Sequence, residues 1–283
     1  MGPDKYQVYC VIGHPVAHSR SPAIHRYMGE RLGIPLTFDK QDIPPRLLQH
    51  FVEESRAILD GFSVTLPHKE TIIQFLDCLD SSADTAGAVN TVWNRQGILT
   101  GYNTDVEGAR EALRRSGVTA PRRAVIIGAG GAARAGLAAL AGMDCRAVTV
   151  LNRTAERGDR LKNDFKGMIP ELSARRLEPE TLTQVLTDAD LLINATSVGM
   201  TPRTEQSPLA DPALLSARTA VLDMVPNPFK TRLLHEADAQ GCRTVSGLDM
   251  LIAQAVAAQK IWQHRSLPGE LHNDIKKYLI DHT

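Results

Sequence analysis

Short apolar runs alternate along the chain with stretches whose apolar residues recur at helical spacing. The runs lie at 6–12 (YQVYCVI), 35–40, 60–65 and 89–93, and the helical patterns at about 22–32, 44–57 and 68–79. Such alternation predicts a mostly parallel sheet with crossing helices. Pro22 suits the first turn of one helix, and Pro44 and Pro45 after Asp42 mark the start of another, because proline at N1 sacrifices an N–H that would have no partner. Residues 89–95 and the following ILTGYN, with Gln96 and Gly97 between them, read as a hairpin closing this first series.

A second series starts with RRAVIIG at 122–128 and continues with a small-residue helix at about 130–142 and a strand AVTVLN at 147–152. Further strands are expected at 191–195, 220–225 and 242–245, with helices near 155–165 and 178–187. This is the rhythm of a doubly wound Rossmann-type sheet. Two closing helices, at about 247–264 and 269–281, carry long apolar faces. The second sheet already has its own helices, so these are expected to return to the first lobe. The expected fold class is α/β with two domains. One is an N-terminal, mostly parallel α/β domain, residues 1–106 completed by the C-terminal helices at 247–283, and the other a Rossmann domain at 107–246.

Composition narrows the function. Hydrophobic residues make up 43% and charged residues 23% of the 283, which suits a globular chain with a sizeable core. Lys plus Arg and Asp plus Glu each total 32, so no basic excess points to nucleic acid or an anionic membrane. Cys10, Cys78, Cys145 and Cys242 show no CxxC or zinc spacing and read as reduced and structural. The first residues contain no apolar signal core, and no run approaches the ~18 apolar residues of a membrane span. A cytoplasmic location is expected. His14 and His18 are four apart, but Pro15 between them argues against a helix, and no metal site is expected.

Gly128, Gly130 and Ala133 fit G-x-G-x-x-G/A between a strand and a helix. The first glycine permits the turn, the second lets a pyrophosphate approach the backbone, and the small third residue allows close helix–strand packing. The helix N-terminus then favours the anion. At the end of the next strand, where an NAD enzyme usually carries an acidic residue, stand Asn152, Arg153 and Thr154, followed by Arg157. Guanidinium and hydroxyl groups in place of a carboxylate point to NADP.

In the first lobe, GHPVAHSRSPAIH at 13–25 places Ser19 and Ser21 on one short turn. They read either as helix caps or as a grip for a carboxylate or polyol. SVTLPHK at 63–69 puts Thr65 at a strand end and Lys69 in the first turn of the helix expected over 68–79. Lysine is unfavourable there because the helix dipole is positive, which hints at function. GAVNTV at 87–92 and GYNTD at 101–105 each carry an Asn-Thr pair at a strand end, the second running on to Asp105. A carboxylate beside Lys69 would make an acid–base pair for a carbonyl that receives hydride.

Together these strings, with NATSVGM at 194–200 and GLDMLIAQA at 247–255, resemble the shikimate/quinate dehydrogenase family over nearly the whole chain. The resemblance implies an oxidoreductase that uses NADP to interconvert shikimate and 3-dehydroshikimate in aromatic amino acid biosynthesis. It makes the first lobe the substrate domain, with Lys69 and Asp105 as the catalytic pair. Ser19, Ser21, Thr65, Asn90, Asp105 and Gln254 would line the pocket for a hydroxylated cyclohexene carboxylate. The cofactor would be held by Gly128, Ala129, Gly130, Gly131, Ala132, Asn152, Arg153, Thr154 and Arg157, and by Thr196, Ser197, Met224 and Gly247. A monomer or homodimer is expected.

Two positions depart from the family's commonest pattern. Ser63 stands where many members have asparagine, and Pro226, in DMVPNPFKT at 223–231, stands where much of the family has a tyrosine that reaches the substrate carboxylate. Proline has neither the hydroxyl nor the reach. Quinate or an aminoshikimate therefore remains an alternative substrate, as does an unrelated polyol acid. A non-catalytic NADP-binding metabolite sensor is the reading from another class.

Overall fold

The computed structural model describes residues 6–282. The described residues divide into two compact units, one formed by residues 6–104 together with 252–282, the other by Asp105–Leu251.

The first unit begins with β1 (Gln7–Gly13), α1 (Ser21–Leu32) and β2 (Leu36–Asp42), followed by α2 (Leu48–Ile58), β3 (Gly61–Val64), β4 (Cys78–Leu79) and α3 (Ser81–Ala86). The hairpin β5 (Thr91–Arg95) and β6 (Ile98–Tyr102) follows. Its turn places Gln96 and Gly97 at φ 55° and 90°, as a tight antiparallel reversal requires. The sheet runs β2-β1-β3-β5-β6-β4, with β5 antiparallel to both neighbours and the other pairings parallel. Pro22 lies in the first turn of α1, and Gly33 at φ 65° ends that helix by returning its N–H to Glu30 and Gly29.

The helix expected over 68–79 does not form. A short 3-10 turn, Thr71–Phe75, leads instead into strand β4. Asp77 decides this. Its N–H donates to the Leu99 carbonyl and its carboxylate accepts from Leu99 N–H and Arg56, so the chain is taken by the sheet edge before a helix can continue. The apolar spacing of Ile72, Ile73, Phe75 and Leu76 comes from packing against one core cluster. Cys78, on β4, is exposed, while Cys10, Cys145 and Cys242 are buried; all four thiols are free. Cys78 is thus not a structural core residue.

Helices α9 (Gly247–Gln263) and α10 (Leu271–Asp281) close the chain. Trp262 of α9 stacks on Tyr9 of β1, with ring centroids 4.5 Å apart, and its indole N–H donates to the Val92 carbonyl at 3.0 Å. Both long apolar faces suit such cover, since an isolated amphipathic helix gains little stability.

Helix α4 (Thr104–Arg115) leads from the first unit into the second, where β7 (Arg123–Ile127), α5 (Gly131–Ala141), β8 (Ala147–Asn152), α6 (Ala155–Asp164), β9 (Glu171–Arg176) and α7 (Pro179–Leu186) follow. Then come β10 (Leu191–Asn194), β11 (Ala220–Asp223), α8 (Arg232–Ala239) and β12 (Arg243–Val245). The strands form a wholly parallel sheet in the order β12-β11-β10-β7-β8-β9. The first-built strand, β7, lies inside the sheet with later strands on both sides, which is the doubly wound arrangement. Helix α4, strand β9 and helix α8 have no counterpart among the elements that the apolar pattern predicts.

Candidate active site

In the first unit the backbone gathers the expected substrate residues at the ends of β1, β3 and β5. Thr65 N–H donates to the Ile12 carbonyl at 2.8 Å, and His14 N–H donates to the Leu66 carbonyl at 2.9 Å. These bonds bring the SVTLPHK loop against the turn that follows β1. The approach is so close that a Cβ on Gly13 would stand 2.5 Å from Thr65 Cγ2 and 2.9 Å from the Leu66 oxygen. Only glycine fits there.

The turn from His14 to Arg20 is held on β2 by Asp42, which accepts from Val16 N–H at 3.2 Å and meets His14 Nδ1 at 3.1 Å. Lys40 adds a bond to the Ala17 carbonyl. Ser19 Oγ accepts from Ser21 N–H at 3.3 Å; neither serine is the N-cap of α1, a position taken by Arg20, whose side chain does not cap the helix.

Lys69 lies in a turn ahead of the 3-10 segment, half-buried. No α-helix begins at Lys69, so no helix dipole opposes its charge. The loop is fixed instead by three contacts: His68 N–H to the Thr65 carbonyl, Val89 N–H to the Lys69 carbonyl, and the buried His68 Nε2–H to the Ile43 carbonyl at 2.6 Å. His68 and Asp42 carry no sequence signal beyond their place in the string, and both anchor the loops that present the serines and Lys69.

The two Asn-Thr pairs meet each other. Asn90 Oδ1 accepts from Thr104 N–H at 2.7 Å, from Thr104 Oγ1 at 3.1 Å and from Thr91 Oγ1 at 3.1 Å. Gln254 Oε1 stands 3.3 Å from Thr104 Oγ1 as a second acceptor within reach of that hydroxyl's single proton, and Asn90 Nδ2 donates to the same oxygen at 3.4 Å. Asn90, Thr91, Thr104 and Gln254 are all buried, and polar groups out of water keep a network only when its members are satisfied. Asn103 Nδ2 adds a bond to the Ala88 carbonyl at 2.8 Å. The next residue along, Asp105, is buried in the first turn of α4, just past the strand end at Tyr102. The dipole there favours a carboxylate. The doubled Asn-Thr string was the signal for this network, although nothing in it told which residue pairs with which.

In the second unit Gly128 has φ 115°, and a Cβ on it would lie 2.9 Å from the Ala195 carbonyl oxygen, so a side chain is excluded on both counts. Ala129 and Ala132 are half-buried, while Gly131 and Ala133 are buried. A Cβ on Gly130 would meet nothing within 4 Å, and Gly130 caps α5 without a side-chain bond. The N-terminal N–H groups of α5 are thus left facing a cradle open to an anion. At the end of β8, Asn152 Nδ2 donates to the Thr154 carbonyl at 2.8 Å, leaving Arg153, Thr154 and Arg157 exposed. Among the described residues, none of Asn152, Arg153 and Thr154 at this strand end carries a carboxylate. These residues fit a dinucleotide with a 2′-phosphate.

Thr196 and exposed Ser197 follow β10, and half-buried Met224 follows β11. Gly247 differs from them: a Cβ on it would lie 2.3 Å from the Val225 carbonyl oxygen, so backbone packing by itself requires glycine there. Pro226 is half-buried between β11 and α8.

One unit carries a glycine turn with an open anion cradle, and the other carries a lysine, serines, a threonine and amides on loops, strand ends and α9; these are the parts of a dinucleotide-dependent dehydrogenase of small polar substrates. The sequence matches the families described as "Shikimate dehydrogenase substrate binding domain" over residues 11–92 and "Shikimate / quinate 5-dehydrogenase" over 110–216. It is 38% identical over 276 residues to the "Shikimate dehydrogenase (NADP(+))" of Methanopyrus kandleri, covering 96% of this chain and 94% of that protein. The same enzyme of Symbiobacterium thermophilum is 41% identical over 265 residues, 92% of this chain and 90% of that one. A Thermus thermophilus shikimate 5-dehydrogenase, solved in complex with NADP(H) and shikimate, superposes with a TM-score of 0.84 at 35% identity, covering 96% of this chain and 99% of that chain. The chain belongs to the shikimate dehydrogenase family.

Proposed function

We propose that this protein interconverts shikimate and 3-dehydroshikimate with NADP. The observation that carries this reading is the buried Asn90–Thr104–Gln254 network beside the Lys69 loop, in a chain whose curated relatives are NADP-dependent shikimate dehydrogenases. Residues up to Thr104, with the C-terminal helices, supply the substrate domain, and the glycine-turn unit supplies the NADP domain.

When bound, the nicotinamide supplies or accepts the hydride at the ring carbon that carries the 3-hydroxyl. The chain's own residues handle the proton and the placement of the ring. Lys69 Nζ gives a proton to the forming alkoxide, or takes it in the reverse direction, and its charge stabilises that oxygen in the transition state. Asp105 is its partner in the acid–base pair. Ser19 and Ser21 hold the carboxylate, and Thr65, Asn90 and Gln254 bind ring hydroxyls. Gly128, Ala129, Gly130, Gly131 and Ala132 take the pyrophosphate, Asn152, Arg153, Thr154 and Arg157 the 2′-phosphate, and Thr196, Ser197, Met224 and Gly247 the nicotinamide half. The protein works inside the cell as a monomer or homodimer, without nucleic acid.

The test is NADPH consumption over 3-dehydroshikimate and related keto acids, with oxidation of shikimate, quinate and aminoshikimate in the reverse direction. The shikimate pair is expected to be turned over best. Lys69→Ala and Asp105→Asn should each lower kcat by on the order of 10² or more while NADPH affinity holds. Lys69→Ala retaining over about half of wild-type kcat, where chemistry limits turnover, removes the acid–base assignment.

A further inference from the structure

Asp223, the last residue of β11, is fully buried, and the reaction described above gives it no part. Its Oδ1 accepts from Asn194 Nδ2 at 2.9 Å and from Val225 N–H at 3.1 Å, and its Oδ2 accepts from Thr231 Oγ1 at 2.5 Å. All three partners are neutral donors. An ionised carboxylate buried among neutral groups is expensive, and burial raises this carboxyl to about 6. A core position needing only volume would hold an apolar residue, so the acceptor pair must bring something packing does not.

What it brings is orientation of two loops. By taking Asn194 Nδ2, Asp223 leaves Asn194 Oδ1 free to accept from Thr196 N–H at 3.1 Å and Thr196 Oγ1 at 2.7 Å. Thr196 Oγ1 then accepts from Val198 N–H at 3.1 Å. By taking Val225 N–H, Asp223 turns the chain just past Met224, whose own N–H donates to the Asn194 carbonyl. Gly247 packs against Asp223 and Val225 carbonyl oxygens from another side. These loops stand at the carboxyl ends of β10 and β11, on the opposite side of β7 from β8. In a doubly wound sheet the pyrophosphate sits at the central strand's turn, so with the adenosine ribose at the end of β8 the nicotinamide half extends toward β10 and β11.

We infer that Asp223 is a positioning residue for the nicotinamide half of the dinucleotide, acting through Asn194 and Val225 on Thr196, Ser197 and Met224. The inference rests on the NADP reading of this unit. It is tested by calorimetric titration of wild type, Asp223→Asn, Asp223→Ala and Thr231→Val with NADPH and with adenosine 2′,5′-bisphosphate, which lacks the nicotinamide half. Asparagine must present an N–H where the carboxylate accepts, so both Asp223 variants should bind NADPH at least about fivefold more weakly, with lower kcat, while holding the bisphosphate within about twofold of wild type. Thr231→Val removes one donor and should shift NADPH in the same sense by less, and it decides the matter should the Asp223 variants not fold. Equal weakening of both ligands overturns the inference, because Asp223 would then serve only general stability. Unchanged NADPH affinity and kcat overturn it too. A wild type that binds neither ligand removes the NADP reading itself, and this inference with it.

Discussion

The Asn90 side-chain oxygen accepts the backbone N–H of Thr104 at 2.7 Å, and so the residue preceding Asp105 is fixed by a side chain fourteen positions earlier. The bond is fully out of water, where losing the acceptor strands the donor.

Asn90→Ala is expected to leave Thr104 N–H, Thr104 Oγ1 and Thr91 Oγ1 without this acceptor. Stability should fall by about 1–3 kcal/mol for the stranded amide, and kcat/KM for shikimate should fall at least ~10-fold as Asp105 loses its anchor. Denaturant unfolding together with steady-state kinetics reads both effects. A variant that keeps wild-type kinetics while losing stability would limit Asn90 to a structural role.

Arg153 and Arg157 stand exposed at the end of β8 and make no ion pair among the described residues, leaving their charge available to a 2′-phosphate. Wild-type kcat/KM should favour NADP over NAD by at least ~10-fold, and Arg153→Ala should erase most of that preference. Equal efficiency with the two cofactors in the wild type would contradict the assignment.

Pro226 lies half-buried on the segment after β11 and has no group to offer a carboxylate. Pro226→Tyr is expected to lower KM for shikimate by roughly the ~1 kcal/mol of one modest hydrogen bond. No gain for any ring acid tested would show that another side chain already fills this role.

Two buried groups should titrate with opposite effects on stability. His25 lies stacked on Phe38 and close to Trp262, and burial lowers it from 6.5 to about 4. Its Nδ1 meets Gln259 Oε1 at 3.2 Å, while His25 Nε2 and Gln259 Nε2 find no partner among the described residues. Between about pH 6.5 and 4 the unfolded chain binds a proton that folded His25 refuses, so acidification costs about 3 kcal/mol. Asp223 is raised from 3.8 to about 6. In that window the folded state keeps a proton the unfolded chain has released, and stability is lost as pH rises, again by about 3 kcal/mol.

The wild-type slope should therefore be shallow, and variants should expose each part. Unfolding measured from pH 4.5 to 7 should show the difference from wild type moving in favour of Asp223→Asn as pH rises, and in favour of the double variant His25→Phe/Gln259→Leu as pH falls. Parallel curves for either variant would mean that its group does not titrate in the window.

The sequence by itself determined the two α/β series, the glycine turn, the cationic end of β8 and the strings that carry Ser19, Thr65, Lys69 and Asp105. Each of these is a local matter: backbone conformation, period and side-chain chemistry lie within a few consecutive residues. The region from His68 to Leu79 shows where that reasoning stops. Its apolar spacing suited a helix, yet the bond between Asp77 and Leu99, twenty-two residues apart, drew it into a strand. Only the tertiary structure decided that Asn90 meets Gln254 across 164 positions, and that Asp223 joins Asn194 and Thr231, 29 and 8 positions away. A buried acceptor is chosen by the donors that folding brings to it, and no local pattern encodes which donors those will be.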